Sequence, residues 1–189
     1  MDDIIRAMKK ANRAAFRTRE YAAMLGRKGY ARLVLHRLKT KGELVSVKNG
    51  WWAFPDSVPE AVACEISNPA YISFHSALYL HGMTTQTPRK IQIAVARKTR
   101  SYSVFRIPVK EYKVKRDQFS YFYRKEGILL ATPEKAFADS LAIPRACPEI
   151  VLIEAAGKID REKVRGMLIS ASAKKRFRRL IIYADQKRS

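Results

Sequence analysis

The chain has 189 residues, 47% of them hydrophobic and 10% aromatic, which suits one large domain or two small ones with a buried core. Its 38 basic and 17 acidic residues give a formal net charge of +21, which indicates a polyanionic partner. No charged-then-apolar leader opens the chain and no run reaches the ~18 apolar residues of a membrane span, so we expect a cytoplasmic protein without a membrane partner.

The first 54 residues predict three helices followed by a hairpin. Apolar residues recur at helical spacing in a first helix over residues 1–16, and a second helix begins at Thr18 and ends at Gly26. A third helix spans residues 28–39, with Ala31, Val34, Leu35 and Leu38 on one side and mostly basic residues on the other. Two alternating strands then flank Asn49-Gly50, a dipeptide suited to a type I′ turn.

This order predicts an N-terminal winged helix-turn-helix that binds duplex DNA. The third helix fits the major groove, where Arg32 and Arg37 suit guanine and Lys39 suits phosphate. A solvated basic face, or a surface for protein contacts, is the alternative interpretation. The predicted DNA-binding residues are Lys28, Tyr30, Arg32, His36, Arg37 and Lys39 on the helix, and Lys48 and Asn49 in the hairpin.

Prolines and polar residues over positions 55–59 indicate a boundary between a domain of residues 1–57 and a domain of residues 58–189. The first part carries 13 basic and 5 acidic residues, and the second carries 25 and 12. A DNA-binding head therefore explains only part of the basic excess. The candidate phosphate or partner contacts of the second part are Arg97, Lys98, Arg100, Lys174, Lys175, Arg176, Arg178 and Arg179.

Strands followed by helices predict an α+β second domain with a small antiparallel sheet. A first helix covers residues 59–66, and Ser73 is placed to cap a short helix that stops at Gly82. Alternating patterns predict strands at 90–96, 102–109, 119–124 and 128–131. Three helices follow at 133–142, 148–169 with a break at Gly157, and 174–184.

Three short segments carry a resemblance to a known family. They are YISFHSALYLHG (Tyr71–Gly82), Pro88-Arg89-Lys90-Ile91 and TPEKA (Thr132–Ala136). With the predicted N-terminal winged helix, the chain resembles the AbiEi antitoxins of type IV toxin-antitoxin systems, which also regulate transcription. The chain is shorter than many relatives, and Phe137 and Ala138 stand where the family usually has aliphatic residues.

The resemblance implies a repressor that binds inverted repeats in its own promoter through the third helix, Lys48 and Asn49. It also implies that residues 59–189 oppose a nucleotidyltransferase toxin encoded by a neighbouring gene. The chain itself lacks the Asp-x-Asp pair that such a toxin needs for its metals. It is therefore not itself the toxin.

We expect no enzymatic activity, metal or cofactor. Cys64 and Cys147 lie far apart, no Cys or His stands at metal-ligand spacing, and no glycine-rich phosphate loop occurs. Ser73, His75, Ser76 and His81 lack a positioned carboxylate, so we interpret them as capping or packing residues. The alternative function is a nuclease or RNA-binding protein. Glu111-Tyr112-Lys113 fits the Glu-x-Lys half of a metal-dependent nuclease site. Tyr102, Phe105 and Tyr112 lie among cations, where they could stack on bases or face the core.

Overall fold

The computed structural model describes residues 2–186, except for the side chain of Lys28. The helices are α1 (Asp3–Lys10), α2 (Thr18–Leu25), α3 (Lys28–Thr40), α4 (Pro59–Ser67), α5 (Phe74–Leu80), α6 (Pro133–Ala142), α7 (Glu149–Ala155), α8 (Arg161–Met167) and α9 (Ala171–Gln186). The strands are β1 (Ala15–Arg17), β2 (Val45–Lys48), β3 (Trp51–Ala53), β4 (Ala70–Ile72), β5 (Ile91–Val95), β6 (Ser101–Val104), β7 (Ile107–Lys113), β8 (Phe122–Lys125) and β9 (Ile128–Ala131). Short 3₁₀ turns cover Arg116–Gln118 and Pro144–Ala146. The fold is therefore mixed α and β.

The N-terminal unit combines α1, α2 and α3 with an antiparallel sheet of order β1-β3-β2. The prediction of one helix over residues 1–16 is wrong in its second half. Helix α1 ends at Lys10, Asn12 adopts a left-handed backbone with φ of 54°, and β1 then pairs with β3. Asparagine tolerates that conformation better than most residues, which explains why the chain turns there.

The three-stranded sheet has a hydrophobic cluster on each face. Phe16, Trp52 and Phe54 pack with the buried side of α3 in a small core. Ala15, Trp51 and Ala53 belong instead to the large core of the rest of the chain, where α4 contacts β1. The hairpin thus joins the N-terminal helices to the remainder of the molecule, and the predicted boundary at residue 57 falls between β3 and α4.

The second sheet has six strands in the order β6-β7-β5-β4-β9-β8. It is mixed, because β4 pairs parallel to β9 and β5 pairs parallel to β7, so the prediction of a small antiparallel sheet is wrong. The three-residue β4 is too short to show a period in the sequence. The predicted strand 102–109 is interrupted at Phe105 and Arg106, whose φ values of 47° and 69° form a left-handed turn between β6 and β7.

Two of the family-like segments meet in the core of this second unit. Tyr71 and Ser73 donate hydrogen bonds of 2.9 and 2.8 Å to the buried carboxylate of Asp139, and Lys135 donates a third of 2.7 Å. The Ser73 hydroxyl therefore serves Asp139 and does not cap α5 as expected. By contrast, Thr132 caps α6 as predicted, accepting a 3.2 Å bond from the Lys135 N–H. These segments hold the sheet to α6.

The C-terminal helices cover the second sheet. The predicted helix 148–169 is divided into α7 and α8, consistent with the expected break near Gly157. Helix α9 buries Phe177, Leu180 and Ala184, and it extends beyond the predicted ends at 174 and 184. Both cysteines are buried and free.

Candidate nucleic-acid interface

Helices α2 and α3 form a compact pair joined by a tight turn. Gly26 ends α2 in the left-handed conformation, with φ of 70°, and its N–H donates to the Ala22 carbonyl. Helix α3 starts two residues later and buries Ala31, Leu35 and Leu38 in the small core. This packing fixes which side of α3 faces solvent.

The solvent face of α3 carries most of the predicted DNA-binding residues. Tyr30, Arg32, His36, Arg37 and Lys39 are all exposed. Among the described residues, Arg32, Arg37 and Lys39 form no ion pair. His36 packs edge-on against the Trp52 ring, with the ring centres 5.6 Å apart, so it joins the helix to the hairpin. The side chain of Lys28, also predicted here, lies outside the description.

A groove of about 550 Å³ separates α3 from the hairpin. Its lining consists of Arg17, Thr18, Arg19, Ala22, Gly29, Arg32, Asn49, Gly50 and Trp51. Three arginines and no carboxylate line it, and the Arg17 guanidinium stacks 4.7 Å from the Trp51 ring centre. The groove therefore favours an anionic ligand. Two of the predicted DNA-binding residues, Arg32 and Asn49, line it.

The hairpin tip is attached to the start of α2. The Thr18 N–H donates to the Gly50 carbonyl at 2.9 Å, and the Trp52 indole N–H donates to the Thr18 hydroxyl at 2.8 Å. The expected type I′ turn is not formed, because Gly50 but not Asn49 has a positive φ and the strand register shifts between Ser46 and Lys48. The tip is held in place with Asn49 exposed.

The structure places Lys48 away from the other predicted hairpin contact. Its ammonium lies 4.7 Å above the Tyr102 ring of β6, and the side chain is half-buried. Burial, followed by repulsion from Arg100, lowers the pKa of Lys48. A bulge redirects the side chains that follow it, which accounts for this position. Lys48 thus links the hairpin to the second unit, and its role on phosphate stays a prediction.

Arg97 and Arg100 surround one buried carboxylate, that of Glu111. Arg97 donates two hydrogen bonds of 3.1 Å to it, the Arg100 N–H donates one of 2.9 Å, and the Ser67 hydroxyl donates one of 2.7 Å. Burial alone raises the pKa of Glu111, but the bonds from Ser67 and Arg97 outweigh that effect and hold the pKa below its usual value. Glu111 is therefore an anion enclosed by protein donors, and it links β7 to the end of α4 and to the loop of residues 97–100.

The same contacts bear on the nuclease alternative. Glu111 is fully buried under its arginines, while Lys113 is exposed. Among the described residues, no group of three His, Cys, Asp or Glu side chains is arranged to hold a metal ion. Lys98, the remaining candidate of this loop, is exposed.

The basic residues of α9 fall into two groups. Lys174, Lys175 and Arg178 are exposed and form no ion pair among the described residues. Arg176 donates to the Leu141 carbonyl at 2.8 Å, and Arg179 pairs with Glu149 at 3.1 Å. Three of the five predicted contacts on this helix are thus free, and two are engaged within the chain.

Comparisons with known proteins show a shared fold. No family model and no curated protein matches the chain. Its structure is similar to the crystal structure of the Rv2827c protein from Mycobacterium tuberculosis, with a TM-score of 0.65 and 15% sequence identity over 96% of this chain and 75% of that one. The similarity covers both units of the molecule. Within residues 2–186, no helix has the length and apolar character needed to cross a membrane.

Proposed function

We propose that the chain is a sequence-specific DNA-binding repressor whose residues 1–57 form a winged helix-turn-helix. The observation that carries this proposal is the solvent face of α3 beside the attached hairpin, where Arg32, Arg37 and Lys39 are exposed and form no ion pair with any residue that the structure describes. The order α1, β1, α2, α3, β2, β3 supports it, because such a unit presents one helix and one ribbon on the same side.

The physical basis is the fit between α3 and duplex DNA. A helix enters the major groove, where an arginine can donate two hydrogen bonds to one guanine. Arg32 and Arg37 are both exposed on α3, about 1.4 turns apart. We propose that they contact base edges. Arg17 and Arg19, which line the groove beside the hairpin, would contact phosphates and displace counterions.

The second unit extends this cationic surface. Because Lys48 lies over Tyr102 and is repelled by Arg100, the loop carrying residues 97–100 adjoins the hairpin. Lys98 in this loop is exposed, and we propose that it contacts phosphate beyond the reach of the hairpin. Arg97 contributes less to this cationic surface, because its charge is paired with that of Glu111.

Selection of binding sites from a pool of random duplexes tests the proposal. We expect enrichment of one motif, its presence upstream of the chain's own gene, and loss of enrichment in Arg32→Ala. Arg116→Ala is the matched control, because it removes an exposed arginine from the second unit. A pool that stays random after repeated rounds would reject sequence-specific binding.

We also propose, from the resemblance to AbiEi proteins, that residues 58–189 oppose a nucleotidyltransferase toxin. The exposed and unpaired Lys174, Lys175 and Arg178 of α9 suit an acidic protein surface. A nucleotidyltransferase encoded beside the gene should arrest growth when it is expressed alone, and co-expression of this chain should restore growth. Reversal of the three charges should abolish this rescue if the rescue depends on contact at α9. Persistent growth arrest with the intact chain would exclude the antitoxin role.

The nuclease alternative receives little support, because Glu111 is enclosed by Ser67, Arg97 and Arg100. Incubation of the purified protein with DNA and RNA, with and without magnesium, tests it directly. We expect no metal-dependent cleavage. Cleavage that is lost in Glu111→Gln while the variant stays folded would contradict the repressor-only interpretation.

A further inference from the structure

A second concave surface lies in the C-terminal unit, between the start of α5, the segment before β5 and the turn before α7. We call it the Arg89 pocket, and its volume is about 570 Å³, within the ~300 to 1,000 Å³ typical of small-molecule sites. The residues that matter here are His75, Arg89, Lys90, Arg145, Pro148 and Ile150. None of them belongs to the proposed DNA-binding surface.

The charge of the Arg89 pocket is one-sided. Arg89, Lys90 and Arg145 line it, and the described lining contains no carboxylate. None of these three side chains forms an ion pair among residues 2–186. Gathering three cations in a concave surface without a counterion costs electrostatic free energy, and a bound anion would recover it. The cations therefore favour a ligand with a phosphate group.

Part of the lining of the pocket is apolar. It includes Pro88, Pro144, Pro148 and Ile150, which is 48% exposed. A free phosphate ion would leave these side chains in contact with water. A ligand with a phosphate at one end and a flat ring system at the other would cover both the cations and the apolar side chains, because apolar and aromatic surfaces pack on such side chains.

Hydrogen bonds hold the pocket in shape without a ligand. Glu154 accepts from the Thr84 hydroxyl at 2.5 Å and from the Thr85 N–H at 3.1 Å, which secures the segment before Arg89. A nitrogen of His75 lies 2.7 Å from the Gln86 carbonyl, and the buried Gln92 amide donates to the Ala146 carbonyl. A preformed site loses little conformational entropy on binding.

We propose that the Arg89 pocket binds a nucleoside monophosphate. Arg89, Lys90 and Arg145 hold the phosphate, and the base lies against Pro148 and Ile150. The proposed role of the pocket is binding. This proposal is independent of DNA binding by α3, because the two surfaces share no lining residue.

Isothermal titration calorimetry of the full chain tests the proposal with AMP, GMP, CMP and UMP, the matching nucleosides, and inorganic phosphate. We expect at least one nucleotide to bind, with its nucleoside and phosphate each about tenfold weaker or more. Arg145→Ala and Arg89→Ala should each weaken that nucleotide about tenfold, since each removes a charge-assisted hydrogen bond. Both arginines are exposed, so both variants should keep the wild-type circular dichroism spectrum.

Two controls separate this pocket from the DNA-binding surface. Arg32→Ala should leave nucleotide affinity unchanged, and Arg116→Ala should do the same. The proposal is overturned by the absence of binding up to about 10 mM of every nucleotide. It is equally overturned if phosphate binds as tightly as the nucleotide, or if Arg89→Ala and Arg145→Ala have no effect while Arg32→Ala does.

Discussion

The solvent face of α3 and the loop around Arg97 are both basic in sequence but differ in how their charges are used. On α3, Arg32 and Arg37 form no ion pair within residues 2–186, whereas Arg97 and Arg100 converge on the buried carboxylate of Glu111. One region keeps its cations available for a ligand, and the other uses them to hold β7 and α4 together. Counting cations in a sequence therefore overestimates the surface that can bind a polyanion.

The largest expected effect is a loss of stability when the carboxylate between Arg97 and Arg100 is removed. Glu111→Ala leaves the guanidinium groups of Arg97 and Arg100 without their carboxylate, which should cost about 3 kcal/mol. This is the lower end of the range for breaking a buried ion pair, because the two arginine side chains are 31% and 40% exposed and water can solvate them. Urea unfolding followed by circular dichroism measures this loss. Glu126→Ala serves as the control, because its side chain is exposed in a turn. A loss no greater than that of the control would show that the network contributes nothing.

The next effect concerns the α3 face. Arg32→Ala and Arg37→Ala should each reduce affinity for the preferred duplex by about 1 to 3 kcal/mol and relax discrimination at one base position. Both should leave the urea midpoint nearly unchanged, because these side chains are exposed and unpaired. Fluorescence anisotropy with single-base variants of the duplex measures the discrimination. An equal loss on all sequences would show that the arginines contact only phosphate.

A smaller effect is expected where the hairpin meets α2. Thr18→Val keeps the shape of the side chain but removes the acceptor of the Trp52 N–H, which should cost about 1 kcal/mol of stability. Thr40→Val is a matched control, since the Thr40 hydroxyl bonds to the carbonyl of His36 on the exposed end of α3. If Thr40→Val loses as much stability as Thr18→Val, the hydrogen bond between Thr18 and Trp52 contributes no more than an ordinary exposed one.

The smallest effect is expected at Lys48. Its ammonium lies over Tyr102, so Lys48→Ala should cost about 0.5 to 1 kcal/mol of stability through the lost cation–π contact. Its effect on duplex affinity should be uniform across sequences and smaller than that of Arg32→Ala. Thermal unfolding and anisotropy on the same samples compare the two quantities. A large and sequence-dependent loss of DNA affinity would place Lys48 in the groove after all.

Features set by neighbouring residues could be predicted from the sequence. Gly26 ends α2, and Thr132 with Pro133 starts α6, because caps depend on residues only a few positions away. Strands β1 and β4 have three residues each and exist through pairing with distant partners, so no local period reveals them. The same reason explains why the mixed sheet was missed.

In the candidate site, too, some features follow from the local sequence and others depend on distant residues. The exposed side of α3 follows from its helical period, and the structure places Tyr30, Arg32, Arg37 and Lys39 there as predicted. The position of Lys48 depends on a bulge and on Tyr102, and the engagement of Arg97 depends on a fold that brings Glu111 beside it. Long-range contacts of this kind leave no signal in one sequence.

The affinity for a selected and for a random duplex, measured over a series of salt concentrations, tests the central claim most directly. We predict that the wild type binds its selected duplex more tightly than a random one, and that Arg32→Ala with Arg37→Ala abolishes this preference. The double variant Lys113→Ala with Arg116→Ala removes the same charge from the second unit and should preserve the preference. It should change the slope of log affinity against log salt concentration by at most the ~0.9 expected per lost phosphate contact. Equal losses of preference in both double variants would contradict the account.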